Sequence, residues 1–190
     1  MNNLTPTARE EAPQEIENYL ETYSAIGEWI RFADAKAAAV LTVIAALAGL
    51  LIPTLKSYLD AKTNGSYPAS WWPALVVILF VLWLAFQVAS GLNAFACITP
   101  FRRRGRHPVI DHSRHFHPAS IAHHYRLEEY DRFVTEFDQV GPHKFKREIM
   151  VAILIDAHIS NNKYVYVSRA IRLLGVSVVF GFLYFLAIQF

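Results

Sequence analysis

From Ala37 to Leu55, from Pro73 to Ile98 and from Leu173 to Phe190 the chain carries no Asp, Glu, Lys, Arg or His. Each run reaches or nearly reaches the roughly 20 residues that cross about 30 Å of hydrocarbon as helix. The pattern predicts transmembrane helices at 37–55, 73–98 and 173–190. Helices of a soluble bundle keep a charged stripe, which these runs lack.

The polar segments between them also carry helical signals. Residues 1–36 read as an amphipathic arm, helical from about Pro13, with Ile16, Leu20, Tyr23, Ile30 and Ala37 near multiples of 3.6 and glutamates in its first turns. No breaker separates the arm from the first run, so one long helix is expected to stop near Pro53. Asn64-Gly65 and Pro68 mark a turn within the connection 56–72. In the connection 99–172, residues 101–118 read as loop. A helix is expected from Pro118 to about Gln139, carrying the stripe Tyr130, Phe133, Val134, Phe137. Gly141-Pro142 ends it, and Phe145, Ile149, Ala152 and Ile153 open a helix that continues into the third run. "KYVYVSR" alternates like a strand but has nothing to pair with, so it is read as helix. The fold class is therefore an all-α membrane protein: three transmembrane helices with a small cytoplasmic helical bundle formed largely by helix extensions.

Composition agrees, with 54% hydrophobic residues and a mean hydropathy of +0.23. Charge sets the expected orientation. The connection 56–72 holds Lys56 and Lys62, whereas 99–172 opens with "FRRRGR" and holds many further Lys and Arg. The positive side faces the cytosol, which puts the N-terminus inside and the C-terminus on the outer side of the membrane. Trp71 and Trp72 suit the outer interface. The stretch Met1–Arg31 is polar and acidic and does not read as a signal peptide. Its glutamates and the basic start of the long connection either pair or stay separately solvated.

Candidate chemistry is sparse. There is no nucleophile elbow, phosphate loop or dinucleotide fingerprint, and the single Cys97 lies in the second run, so no enzyme is expected. The His-rich stretch 107–124 matches no metal template; a loop against anionic headgroups is the simpler reading. A membrane-bound metal hydrolase would use His112, His115 and His117. Small residues four apart, Ala45 and Gly49, Ala85 and Ala89, Ser177 and Gly181, favour close packing within one chain or between chains. At the mouth of the first run, Asp34 and Lys36 are two apart and point to different sides. In one reading Arg31 pairs with Asp34 while Lys36 snorkels to headgroups. In the other both face the third helix, where Asn161, Asn162, Lys163 and Arg169 lie at similar depth and supply cations for a phosphate and amides for a base edge.

"IRFADAKAAAVLTVIAALAGLL", "HFHPASIAHHYRLEEYDRF" and "NNKYVYVSRAIRLLGVSVVFGFL" resemble the membrane effectors of Pycsar, the pyrimidine cyclase system for antiphage resistance. The resemblance runs from about Ile30 to the C-terminus. It is sharpest at Asp34-Ala35-Lys36-Ala37 and at Lys163-Tyr164 followed by Arg169-Ala170. It implies a defence effector: a cognate cyclase, triggered by phage, makes cyclic CMP or cyclic UMP, and the membrane protein responds by impairing the inner membrane and arresting the cell. No cofactor is implied beyond that activating nucleotide. Three spans cannot line a wide pore alone, so a homo-oligomer is expected. With no separate nucleotide-binding β-roll, the candidate ligand site is Arg31, Asp34, Lys36, Asn162, Lys163 and Arg169. The alternative is a membrane scaffold that binds a protein partner through its cytoplasmic helices.

Overall fold

The computed structural model describes residues 7–63, 71–99 and 115–189, and among these there is helix and turn but no strand. Five α-helices follow in order: α1 Thr7–Thr63, α2 Trp72–Ile98, α3 Pro118–His124, α4 Tyr130–Asp138 and α5 Pro142–Ala187, with a 3₁₀ turn Leu127–Glu129 before α4. Helices α1, α2 and α5 each contain a stretch long and apolar enough to cross a membrane. "KYVYVSR" lies inside α5 and is helical. The "FRRRGR" cluster, His107, His112 and most of the connection between α1 and α2 lie outside the described residues. So does the basic partner of the acidic arm.

The chain forms two compact units. The first takes α1 up to Arg31, α3, α4 and α5 up to Asn161; the second takes α1 from Phe32, α2, and α5 from Asn162. The division falls ahead of Asp34, Lys36, Lys163 and Arg169, so these charges belong to the unit that holds the apolar runs.

In that membrane unit, one spacing recurs. Buried positions on α2 are Val76, Phe80, Trp83, Gln87, Ser90, Ala94 and Cys97, alternating steps of four and three. On α5 they are Lys163, Val167, Ala170, Ser177, Gly181, Tyr184 and Ala187, and on α1 Ala33, Ala37, Val40, Leu51 and Tyr58 fit the same repeat. A 3.5-residue repeat keeps one narrow seam of each helix toward its neighbours, the packing mode of left-handed bundles in water and in lipid. Two apolar clusters result. One is built of small residues, Ala33, Ala37, Val40, Ala94, Cys97, Val167 and Ala170, which let the backbones approach; the Cys97 thiol reaches the Ala33 carbonyl at 3.8 Å. The other is large and aromatic, with Leu51, Tyr58, Phe80, Trp83 and Tyr184.

Pro53 does not end α1, contrary to expectation; the helix runs on to Thr63. Its ring removes one backbone bond, but Leu51, Leu55 and Tyr58 continue to pack on the aromatic cluster. The Thr54 hydroxyl donates back to the Leu51 carbonyl at 2.7 Å and lies 3.0 Å from the Tyr184 hydroxyl. These contacts outweigh the break. At the same end of the unit the Trp72 indole donates to the Ala187 carbonyl at 3.0 Å.

The expected helix from Pro118 to Gln139 is also corrected: Tyr125 and Arg126 are extended and divide it. The turn carries the Tyr125 side chain inward, and the Glu129 carboxylate accepts the Arg126 N–H at 2.9 Å to start the 3₁₀ turn. Tyr130, expected on the apolar stripe, is 68% exposed. An edge-to-face chain of rings, Tyr23–Phe116–Phe145–Phe137, fills the unit instead. Pro142 opens α5, and the Gly141 carbonyl accepts the first N–H groups.

The two glycines offered as assembly positions now separate. A Cβ on Gly181 would meet Trp83 at 3.0 Å and Leu51 at 3.1 Å, whereas one on Gly49 would meet nothing within 4 Å. Gly181→Leu should destabilise the single chain by about 1–3 kcal/mol or more through overpacking, and Gly49→Leu should leave it unchanged. Thermal unfolding in detergent tests both; equal midpoints would contradict this packing.

Candidate functional site

The charged mouth is built from the ends of two interior seams. Asp34 follows Ala33 on α1, and Lys163, at 6% exposure, is the first buried position of α5 within the membrane unit. The Lys163 ammonium donates to the Asp34 carboxylate. A buried ammonium requires such a partner, because an unpaired charge at that depth costs several kcal/mol in desolvation. Lys36 takes another direction, as a separation of two requires. Its ammonium lies 4.2 Å from the Phe32 ring centroid and 5.8 Å from that of Tyr164. Cation–π contacts of this kind contribute about 0.5–2 kcal/mol.

Of the residues read from sequence, the structure thus brings Asp34, Lys36 and Lys163 together. It takes the second of the two readings for Asp34: the carboxylate meets α5. Asn162 is half-buried beside Lys163. Arg169 is exposed on a different face of α5, where it lines a groove of about 380 Å³ with Tyr164, Val165, Ser168 and Arg172. Arg31 is exposed and belongs to the other unit. Tyr164 was marked in the sequence only by the resemblance at Lys163-Tyr164, and Arg172 was not singled out as a site residue. The alternation of its stretch gave Tyr164 no face on a helix, and Arg172 read only as part of the positive side.

The first unit holds a second polar constellation that no spacing announced. His115 and Glu148, both nearly fully buried, are joined twice: the His115 backbone N–H donates to Oε2 at 2.8 Å, and Nδ1 lies 2.9 Å from Oε1. On the other ring nitrogen, Nε2 is 3.0 Å from the Tyr125 hydroxyl, which donates to Glu136 at 2.6 Å. Both ring nitrogens and the tyrosine hydroxyl are thus held in one connected hydrogen-bond network between two carboxylates. The Tyr125 hydrogen bond, and then Arg132, hold the Glu136 carboxyl below its ordinary range. Arg132 bridges Glu136 and Glu129 at 2.9 Å each. Nearby, burial and then Asp156 push the Tyr23 hydroxyl up, and Asp156 also lies 3.5 Å from His117 Nε2.

His115 and His117 are therefore engaged with Glu148, Tyr125 and Asp156, and among the described residues no three metal-capable side chains converge. A more apolar cavity of about 400 Å³ lies between α3 and α4, lined by Pro118, Ile121, Tyr125, Leu127, Tyr130 and Phe133 among others.

Residues 18–188 match a family model described as the Pycsar effector protein domain. No curated protein and no solved structure matches the chain.

His115→Ala should destabilise the protein by about 3–5 kcal/mol, because it leaves the Glu148 carboxylate buried without its ring partner. Chemical denaturation measures this, and a loss under about 1 kcal/mol would show that the pair contributes little. Glu136 titrates with the opposite sign from a stabilised cation. Its folded pKa lies below the unfolded one, so its contribution is present above the ordinary glutamate range and lost as pH falls through the folded value. Glu136→Gln should flatten the acid limb of stability against pH, read by thermal melts between pH 7 and the acid transition.

Proposed function

Because the chain belongs to the Pycsar effector family, we propose that its membrane unit is gated at the charged mouth by cyclic CMP or cyclic UMP. The protein is a membrane effector of antiphage defence, linked through that family to a cyclic pyrimidine nucleotide system. In the resting state Asp34 holds Lys163. A cyclic phosphodiester is itself an anion and competes with the Asp34 carboxylate for that ammonium. Lys36 is the second cation, Tyr164 presents a ring face, and Asn162 offers an amide to a pyrimidine edge. Arg169 and Arg172 steer the anion toward the mouth rather than bind it directly. Arg31 stands in the other unit and contributes only field.

Near-complete switching requires roughly 5.5 kcal/mol of preference for the active state. Two or three hydrogen bonds to charged groups, at about 1.5–3 kcal/mol each, reach that figure. Lys163 stands on a helix that continues unbroken to Ala187, so a shift at the mouth is carried along the third span. The outcome is impairment of the bacterial inner membrane by copies oriented with the N-terminus in the cytoplasm, acting as a homo-oligomer without catalysis. One observation supports this reading above the others: a buried ammonium held by one carboxylate at the edge of an uncharged run.

A second reading, a scaffold for a protein partner, draws on Leu127, 97% exposed at the rim of the α3–α4 cavity. The two are separated by thermal shifts of the detergent-purified chain with cyclic CMP, cyclic UMP, cyclic AMP and cyclic GMP. A ligand at 100 times its Kd stabilises by about 2.7 kcal/mol. Selective stabilisation by a pyrimidine nucleotide is expected, and Lys36→Ala or Lys163→Ala should abolish it while leaving insertion intact. Unchanged binding in both variants overturns the gate, and no response to any nucleotide favours the scaffold.

A further inference from the structure

The two apolar clusters of the membrane unit are separated by a polar layer, and its principal member has no partner. Gln87 is 3% exposed, and neither its amide nitrogen nor its oxygen makes a hydrogen bond among the described residues. It stands two residues from the midpoint of α2, about 3 Å along the axis and so near the centre of the hydrocarbon. A carboxamide left dry at that depth is costly, and an apolar side chain of similar volume would serve the fold better. An intramembrane polar residue retained under such a penalty points to function rather than packing.

Its neighbours on the interior seams extend the same character in both directions. One turn away on α2 the buried Trp83 indole nitrogen also lacks a partner among the described residues. On the other side the buried Ser90 hydroxyl donates to the Ala170 carbonyl at 2.7 Å, and the buried Ser177 hydroxyl donates to Leu174 at 2.8 Å. Farther along, Thr54 and Tyr184 share a hydrogen bond at one end, and Asp34 and Lys163 close the other. Polar groups therefore stand at the mouth, at the midplane and at the far end of a single copy, with the small-residue cluster between the first two and the aromatic cluster between the last two. Hydroxyls with spare lone pairs, a carboxamide and an indole N–H supply the two to four contacts that a water molecule needs. At rest the line is closed on the mouth side by small side chains that leave little to displace, and beyond Gln87 by the bulky Trp83, whose indole fills the space over Gly181.

From this we infer that Ser90, Gln87 and Trp83 mark a narrow route for water and protons through one copy of the protein, with Trp83 against Gly181 as its plug. The inference deepens the proposed membrane impairment and rests on it for its trigger. Opening the Asp34–Lys163 pair admits water to the seam, and Gln87 holds it at the midplane. A proton taken up at one end is released at the other, with no net chemical change. The charge gradient across the membrane collapses while larger solutes stay inside. The route therefore lies within each copy, and copies assemble around it without lining it.

The full chain, reconstituted into liposomes, is tested with a pH-sensitive dye inside and, in parallel, with trapped calcein. Without any nucleotide, Gly181→Ala should raise proton flux about fivefold over wild type, the change that accompanies the lower end of an overpacking penalty. Adding Gln87→Leu should return flux to the wild-type rate, and calcein should be retained throughout. A Gly181→Ala protein as tight as wild type overturns the plug. A double variant that leaks as fast as Gly181→Ala, or calcein release that parallels proton flux, overturns the route. Should Gly181→Ala fail to insert, Gln87→Leu alone decides: a raised thermal midpoint with nucleotide-evoked proton flux lost supports the proposal, and a lowered midpoint or undiminished flux overturns it. Cyclic CMP and cyclic UMP form a separate arm. If neither changes wild-type flux while the ligand-free variants behave as expected, the gating reading fails and the route stands.

Discussion

Everything in the membrane unit depends on one constraint: inside hydrocarbon, each polar group turned toward the seam must find its partner within the protein. The three long helices meet this along a 3.5-residue repeat, which gives each a narrow line of contact. Most of the line is apolar, so association there is van der Waals packing. Small residues allow close approach at one end, and interlocked rings fill the other. Where polar groups enter the line, most are satisfied across helices, as with Ser90 to Ala170, Thr54 to Tyr184 and Lys163 to Asp34. Gln87 departs from the rule, which gives it its interest.

The ion pair at the mouth and the amide at the midplane cost energy in different ways. Lys163 is neutralised by Asp34 and becomes expensive only when that carboxylate is drawn away. Gln87 is expensive at rest. The membrane unit thus holds one buried charge that is paired and one buried amide that is not.

The first unit follows ordinary aqueous rules. Its rings form a chained apolar core, and its buried polar groups, His115 and Glu148, are hydrogen-bonded to each other, with Tyr125 on the other ring nitrogen. Helix α5 passes from this unit into the membrane unit without a break.

The sequence by itself determined the three spans, the expected orientation and the all-helical class, because absence of charge over twenty residues is a local property. It also placed Asp34, Lys36 and Lys163 at the rim, since charges beside an uncharged run are visible one residue at a time. The family resemblance at Asp34-Ala35-Lys36-Ala37 and Lys163-Tyr164 agreed with the domain match over residues 18–188. Only the tertiary structure decided which partner Asp34 takes, because Arg31 three residues away and Lys163 on another helix are equally plausible from spacing. Likewise Pro53 reads as a stop until packing of Tyr58 and Tyr184 beyond it outweighs the missing bond, and the Tyr125 break reads as helix until its hydroxyl meets His115 and Glu136. Gln87 was present in the second run all along, but whether a lone amide faces lipid, a neighbour or an empty seam is a matter of helix rotation. Rotation about the axis is fixed by contacts between helices, and contacts are what a single linear pattern does not contain.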